Sequence, residues 1–157
     1  MRIQLIVAFF FSFLASCTVA QPGIYSTSSK KAIKLYEEAN ICYKDLDPQT
    51  GRRRSLNCAE SNALKALEKD EQFIDALLLL SEVKIAQNDF LSAIAYKERV
   101  LAMNPGYSSN EFYYIASLAM GLGDYEKCLK FSKLFLARRS TSEYFQDQAR
   151  RYVDDCE

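Results

Sequence analysis

The sequence predicts an all-α solenoid of three antiparallel helix pairs followed by a C-terminal capping helix. Three observations lead there. From about residue 30 onward, apolar residues recur at three- and four-residue spacing. A short unit also recurs: Gln87–Tyr96 reads QNDFLSAIAY and Leu122–Phe131 reads LGDYEKCLKF. Each unit places an aspartate, an aromatic, a small residue three positions on, an aliphatic and an aromatic. Finally, the 157 residues include only 5 glycines and 3 prolines, too few for an all-β chain rich in tight turns.

Composition narrows the function classes. Apolar residues make up 49% and charged residues 25%, an ordinary globular balance. Twenty basic and twenty acidic side chains cancel, so no strong field gathers nucleic acid, and such a partner is not expected. Histidine is absent, which removes the commonest general base and the commonest metal ligand.

The first twenty residues stand apart. Met1–Leu14, MRIQLIVAFFFSFL, has one arginine and then a mostly apolar run too short to span a bilayer, as in a secretory signal. Residues 1–20 are read as an export signal. Leu14-Ala15-Ser16-Cys17 resembles a bacterial lipobox, which would remove 1–16 and leave Cys17 acylated as the first mature residue. Thr18-Val19-Ala20 resembles an ordinary signal-peptidase site, which would release a soluble protein instead. The anchored form is the reading adopted, with release after Ala20 as its competitor. Residues 21–29 are a linker, and the helical domain occupies 30–157.

In the first pair, Leu35, Ala39, Cys42 and Leu46 form one helical stripe, and Asp47-Pro48-Gln49-Thr50-Gly51 ends it. The second helix runs from about Leu56 to Lys69, with Ala59, Ala63, Ala66 and Leu67 on one face. The next pair starts at Ile74. Leu77, Leu80, Ser81 and Lys84 then take positions four, seven, eight and eleven, and Ala93, Lys97, Val100 and Pro105 take twenty, twenty-four, twenty-seven and thirty-two. The third pair starts at Ser109, with Phe112, Ile115, Ala116, Ala119, Cys128 and Phe135 at the matching positions. Ser108 followed by Glu111 has the form of a capping box. A last helix over 142–156, preceded by Ser140-Thr141-Ser142, carries Phe145, Ala149, Tyr152 and Val153 on one face and covers the open end of the array.

On these residues the chain resembles the tetratricopeptide repeat, whose period is 34 residues. Small residues at positions eight and twenty allow close helix crossing, and Ser81, Ala93, Ala116 and Cys128 supply them. Lys84 and Lys97 stand where the repeat favours aromatics, and their stems are expected along the apolar seam. The repeats cover about 32–73, 74–107 and 109–141, the first lengthened by surplus residues in the Asp47–Ser55 turn.

Export places Cys42, Cys58, Cys128 and Cys156 in an oxidising compartment. Antiparallel helices rising 1.5 Å per residue bring Cys42 and Cys58 nearly level, and Cys128 and Cys156 less closely so. Disulfides 42–58 and 128–156 are therefore expected, against the alternative of free buried thiols. No metal site is expected, because the four thiolates would have to converge from distant parts of the array.

The resemblance implies a concave face lined by the first helix of each pair. It points to Tyr36, Asn40, Tyr43 and Lys44, then Asp75, Leu78, Glu82 and Ile85, then Asn110, Tyr113, Ser117 and Met120. This aromatic and aliphatic set suits an extended peptide or partner helix, against the alternative that several residues simply pack inside the superhelix. The subtype that grips a C-terminal carboxylate needs basic residues where Tyr36 and Tyr113 stand, and is not supported. Arg52-Arg53-Arg54 could contact an acidic partner or anionic headgroups, or be a solvated loop.

No catalytic constellation is present, and no cofactor or small-molecule substrate is expected. KKAIKLYEEA and ALKALEKDEQFIDALLLLSEVKIAQNDF also resemble the N-terminal module of Bacteroidota envelope proteins that continue into PD40-type propeller and OmpA-like domains, some of them linked to type IX secretion and gliding. Those further domains are not in this sequence, so a peptidoglycan-binding role is not carried over. The expectation is a non-enzymatic scaffold in the bacterial envelope that binds protein components through its concave face and the membrane through a lipid anchor. A soluble periplasmic chaperone or assembly factor is the alternative.

Overall fold

The computed structural model describes residues 25–138 and 143–157. The export signal, Cys17 and the start of the linker lie outside the described residues, as does the Ser140–Ser142 cluster. Among the described residues seven helices follow in order: α1 Lys30–Lys44, α2 Leu56–Lys69, α3 Ile74–Ala86, α4 Phe90–Met103, α5 Ser109–Leu122, α6 Tyr125–Leu136 and α7 Glu143–Cys156. Among the described residues there is no strand, only an isolated antiparallel bridge between Leu46 and Arg53. α1 packs on α2, α3 on α4 and α5 on α6. The pairs stack through α2 on α3 and α4 on α5, and α7 closes the end against α6 and α5.

The recurring sequence unit is the turn inside a pair. Asn88 and Gly123 both take left-handed backbone, with φ of 61° and 73°. Glycine does so without penalty, and asparagine is among the few other residues that tolerate it. The following Asp89 and Asp124 then cap α4 and α6, accepting hydrogen bonds from the Ser92 and Lys127 amides. The small residue three positions after the aromatic is Ala93 or Cys128, and both are fully buried where the paired helices touch. Ala39, Ala59, Ala63 and Ala66 give the first pair an equally close seam.

Two apolar clusters form the core. One is built on Phe73, Leu77, Leu80 and Val83 with the alanines of α1 and α2. The other is built on Phe112, Ile115, Phe131 and Phe135, with Ala149 of α7. Two disulfides brace the array: Cys42–Cys58 joins α1 to α2 with Cα atoms 5.8 Å apart, and Cys128–Cys156 joins α6 to α7 at 6.5 Å.

Several local expectations need correction. α1 stops at Lys44, so Leu46 is not on its stripe; it lies 47% exposed in the loop. The surplus residues of the lengthened turn form a compact hairpin. Asp47 accepts from the Gln49 and Thr50 amides at 3.0 and 2.8 Å, and the Asp47 amide donates to the Arg52 carbonyl at 2.7 Å. Within it the arginine run is partly committed: the Arg53 guanidinium stacks 3.6 Å from the Tyr43 ring centroid, and Arg54 pairs with Asp45 at 2.5 Å. Glu111 does not complete a capping box. Ser108 accepts from the Asn110 amide, while the Glu111 carboxylate turns inward to Lys97. A buried ammonium needs a counter-charge more than an exposed helix start needs a second cap.

Candidate functional site

A cleft of about 530 Å³ opens between α3 and α5, with Lys97 of α4 in its floor. Helical spacing builds its walls. Leu78, Glu82 and Ile85 share one face of α3, and Tyr114, Ser117 and Leu118 share one face of α5, with Glu111 one turn earlier. Leu78, Ile85 and Leu118 give the walls their aliphatic part, and Tyr114 is 39% exposed at the mouth.

The floor is polar. Lys97 is only 2% exposed, and its Nζ donates to Glu111 Oε2 at 3.1 Å and to Glu82 Oε1 at 3.3 Å. The same ammonium sits 5.1 Å from the centroid of the Tyr114 ring. Glu111 is itself buried, whereas the Glu82 side chain is 48% exposed. Three charged groups thus meet in one apolar cleft, one positive and two negative. Lys97 does not merely lay its stem along the seam; it ties α4 to both walls. Lys84, its counterpart at position eleven, pairs on the other side of α3 with Glu60 at 2.7 Å and with Asp89 at 3.5 Å.

The two ends of the concave face are occupied by the chain itself. At one end residues 25–29 lie against α1 and α3. Ser26 donates to Asp75 through its amide at 2.8 Å and its hydroxyl at 2.5 Å, and Thr27 donates to Asp70. Tyr25 of that segment meets Tyr36 and Phe73 edge-on, and those two rings are tilted against each other. Tyr36 is therefore half-buried, and burial followed by the nearby Asp75 charge holds its hydroxyl above the ordinary phenol range.

At the other end α7 covers α5. Tyr113, expected on an open face, is 8% exposed and lies against Phe135, Phe145 and Tyr152 at centroid distances of 5.7, 4.7 and 6.0 Å. Burial first, then the Tyr152 hydroxyl, pushes its ionisation up to about 12. Met120 meets Cys156, with sulfur atoms 3.6 Å apart, and Ser117 accepts from the Tyr152 hydroxyl at 3.3 Å. Tyr113 is thus packed under the capping helix rather than open on the concave face, and Met120 is half-buried against Cys156 of the same helix.

Of the other expected residues, Leu78, Glu82, Ile85 and Ser117 come together in the cleft. Tyr43 stands beside it, with Glu82 and Lys97 in its electrostatic surroundings; burial raises its phenol, partly opposed by Arg53. Asn40, Lys44 and Asn110 do not line the cleft. Sequence reasoning missed Lys97, Glu111, Tyr114 and Leu118. The available signal was Lys97 itself, a charged residue on a stripe that must be buried, which requires acids on the facing helices.

Against known proteins, neither the family models nor the curated proteins yield a match to this sequence. Among solved structures, the chain is similar to the first TPR domain of Spaghetti (RPAP3), solved bound to the HSP90 peptide SRMEEVD. The TM-score is 0.66 at 16% sequence identity, over 85% of this chain and 98% of that one. The chain has a tetratricopeptide-type fold. The helix-pair stacking, the turn unit and the terminal capping helix all follow that architecture.

Proposed function

We propose that this tetratricopeptide chain is a non-enzymatic protein-interaction scaffold, exported to the bacterial envelope, that grips a segment of its partner in the cleft between α3 and α5. The observation that carries the reading is the cleft. It combines aliphatic walls, a half-exposed tyrosine at the mouth and a fixed polar floor, the composition expected of a site that anchors side chains. The fold neighbour's capture of a peptide is consistent with the same use of the same architecture.

Export is supported by the cysteines. All four within the described residues are paired in disulfides, the chemistry of an oxidising compartment. Among the described residues no helix is long and apolar enough to cross a membrane. Membrane attachment is assigned to acylation of Cys17, on the lipobox-like Leu14-Ala15-Ser16-Cys17. The partners are envelope or secretion-machinery components, and no cofactor is involved.

The test is crosslinking in intact cells, comparing the wild type with Ile85→Arg, which fills the cleft, and with Cys17→Ala. A stable set of envelope proteins, lost with Ile85→Arg, is the expected result. A diffuse set of exported clients would replace the scaffold with a soluble assembly factor. A neighbour set unchanged by Ile85→Arg would remove function from the cleft. Retention of Cys17→Ala in the membrane fraction would overturn the anchor.

A further inference from the structure

We infer that the cleft between α3 and α5 selects a basic side chain of its protein partner, an arginine in preference to lysine, set among aliphatic residues. This rests on the cleft being a protein-binding site and adds the chemistry of what it reads. Glu82 and Glu111 face a single cation, Lys97, so the floor keeps one negative charge in excess. Lys97 has no capacity left for an incoming acid. It is 2% exposed, it already binds both carboxylates, and the Tyr114 ring lies over it. An acidic ligand would have to break that pairing and leave buried charge without a partner.

A cation meets the opposite situation. Glu82 is about half exposed, and only its Oε1 is engaged by Lys97. Tyr114 offers its exposed part at the same mouth, and Leu78 and Ile85 provide apolar wall for a methylene stem. Arginine suits this set better than lysine, because its planar fork can meet a carboxylate while stacking on an aromatic ring. Two further charges lie in the surroundings, Arg53 on the Tyr43 ring and carbonyl and Asp75 under Ser26; each is held by neutral groups, and being of opposite sign they leave the net excess at one negative charge.

The test pans a random linear peptide library against the disulfide-intact protein and measures binding of the recovered peptides by fluorescence anisotropy. Glu82→Gln and Ile85→Ser are measured alongside; both positions are solvent-accessible, and circular dichroism checks that each variant keeps its helicity. The expected result is enrichment of arginine flanked by aliphatic residues, with binding weakened about tenfold by Glu82→Gln and further by added salt. Recovered peptides that bind through Ile85 but show no basic enrichment, or that ignore Glu82→Gln, would overturn the selection for a cation and leave the cleft as a binding site. Recovery of acidic or carboxylate-terminated peptides dependent on Ile85 would overturn it in the same way. No recovered peptide, or none sensitive to either variant, would remove the cleft reading and this inference together.

Discussion

Replacement of Lys97 by methionine isolates the energetics of the cleft floor. Methionine keeps most of the lysine stem, so packing along α4 changes little and the charge is what is lost. The Glu111 side chain, 10% exposed, then faces Glu82 with no cation between them. Removing one partner of a buried ion pair costs about 3–5 kcal/mol, because the remaining charge stays desolvated. Lys97→Met/Glu111→Met removes both buried charges, and apolar replacement of such a pair is commonly neutral or stabilising, so the double variant is expected within about 1 kcal/mol of wild type or above it. Glu82→Gln alone touches a half-exposed group and is expected to cost under about 1 kcal/mol. The assay is urea unfolding followed by far-ultraviolet circular dichroism with both disulfides oxidised, comparing midpoints at constant slope. A loss below about 1 kcal/mol for Lys97→Met, or additive losses in the double variant, would show that water reaches the floor and would refute the reasoning.

Three further outcomes follow from the same geometry. Cys42→Ser/Cys58→Ser opens a loop with sequence separation 16 and is expected to lower stability by about 3 kcal/mol in the loop-entropy description, read from the same urea curves. Lys84 and Gln87 both bind Glu60 and hold its carboxyl below the ordinary 4.5, so its contribution is present above that pH and lost as pH falls through the lowered folded value. Glu60 in turn raises Lys84 above 10.5, a contribution that is full below 10.5 and lost as pH rises through the raised value; Glu60→Gln is expected to flatten both limbs of the stability–pH curve. Tyr113, raised from 10.0 to about 12, favours the folded state fully below pH 10 and loses that contribution as pH approaches 12, so a Tyr113→Phe variant should lack one high-pH phenolate absorbance step of the native titration.

Much of the fold was legible because it depends on local patterns. The aspartate–aromatic–small unit carries its own turn geometry, with Asn88 and Gly123 left-handed and Asp89 and Asp124 capping. The alanine seams follow from the helical period. The concave face was legible where it depends on one helix alone: Leu78, Glu82 and Ile85 on α3 reach the cleft as their spacing implies. It was not legible where a second element decides. Tyr113 and Met120 carry the same spacing signal on α5, yet α7 packs over them, and nothing on α5 specifies how far the capping helix reaches. Tyr36 and Asp75 are claimed by residues 25–29, a short segment without periodicity. The role of Arg53 was left open because its partner, the Tyr43 ring, lies across a hairpin whose closure depends on the Asp47 turn.

The central claim is that a partner protein enters between α3 and α5. The most direct measurement places a photoreactive amino acid at Tyr114, at the cleft mouth, and as a control at Leu91, which is 70% exposed. Both proteins are irradiated in intact cells, and the adducts are identified by mass spectrometry. The account predicts a discrete adduct from position 114 that is absent from position 91 and abolished by Ile85→Arg. Equal adducts from both positions, or an adduct from 91 alone, would contradict it.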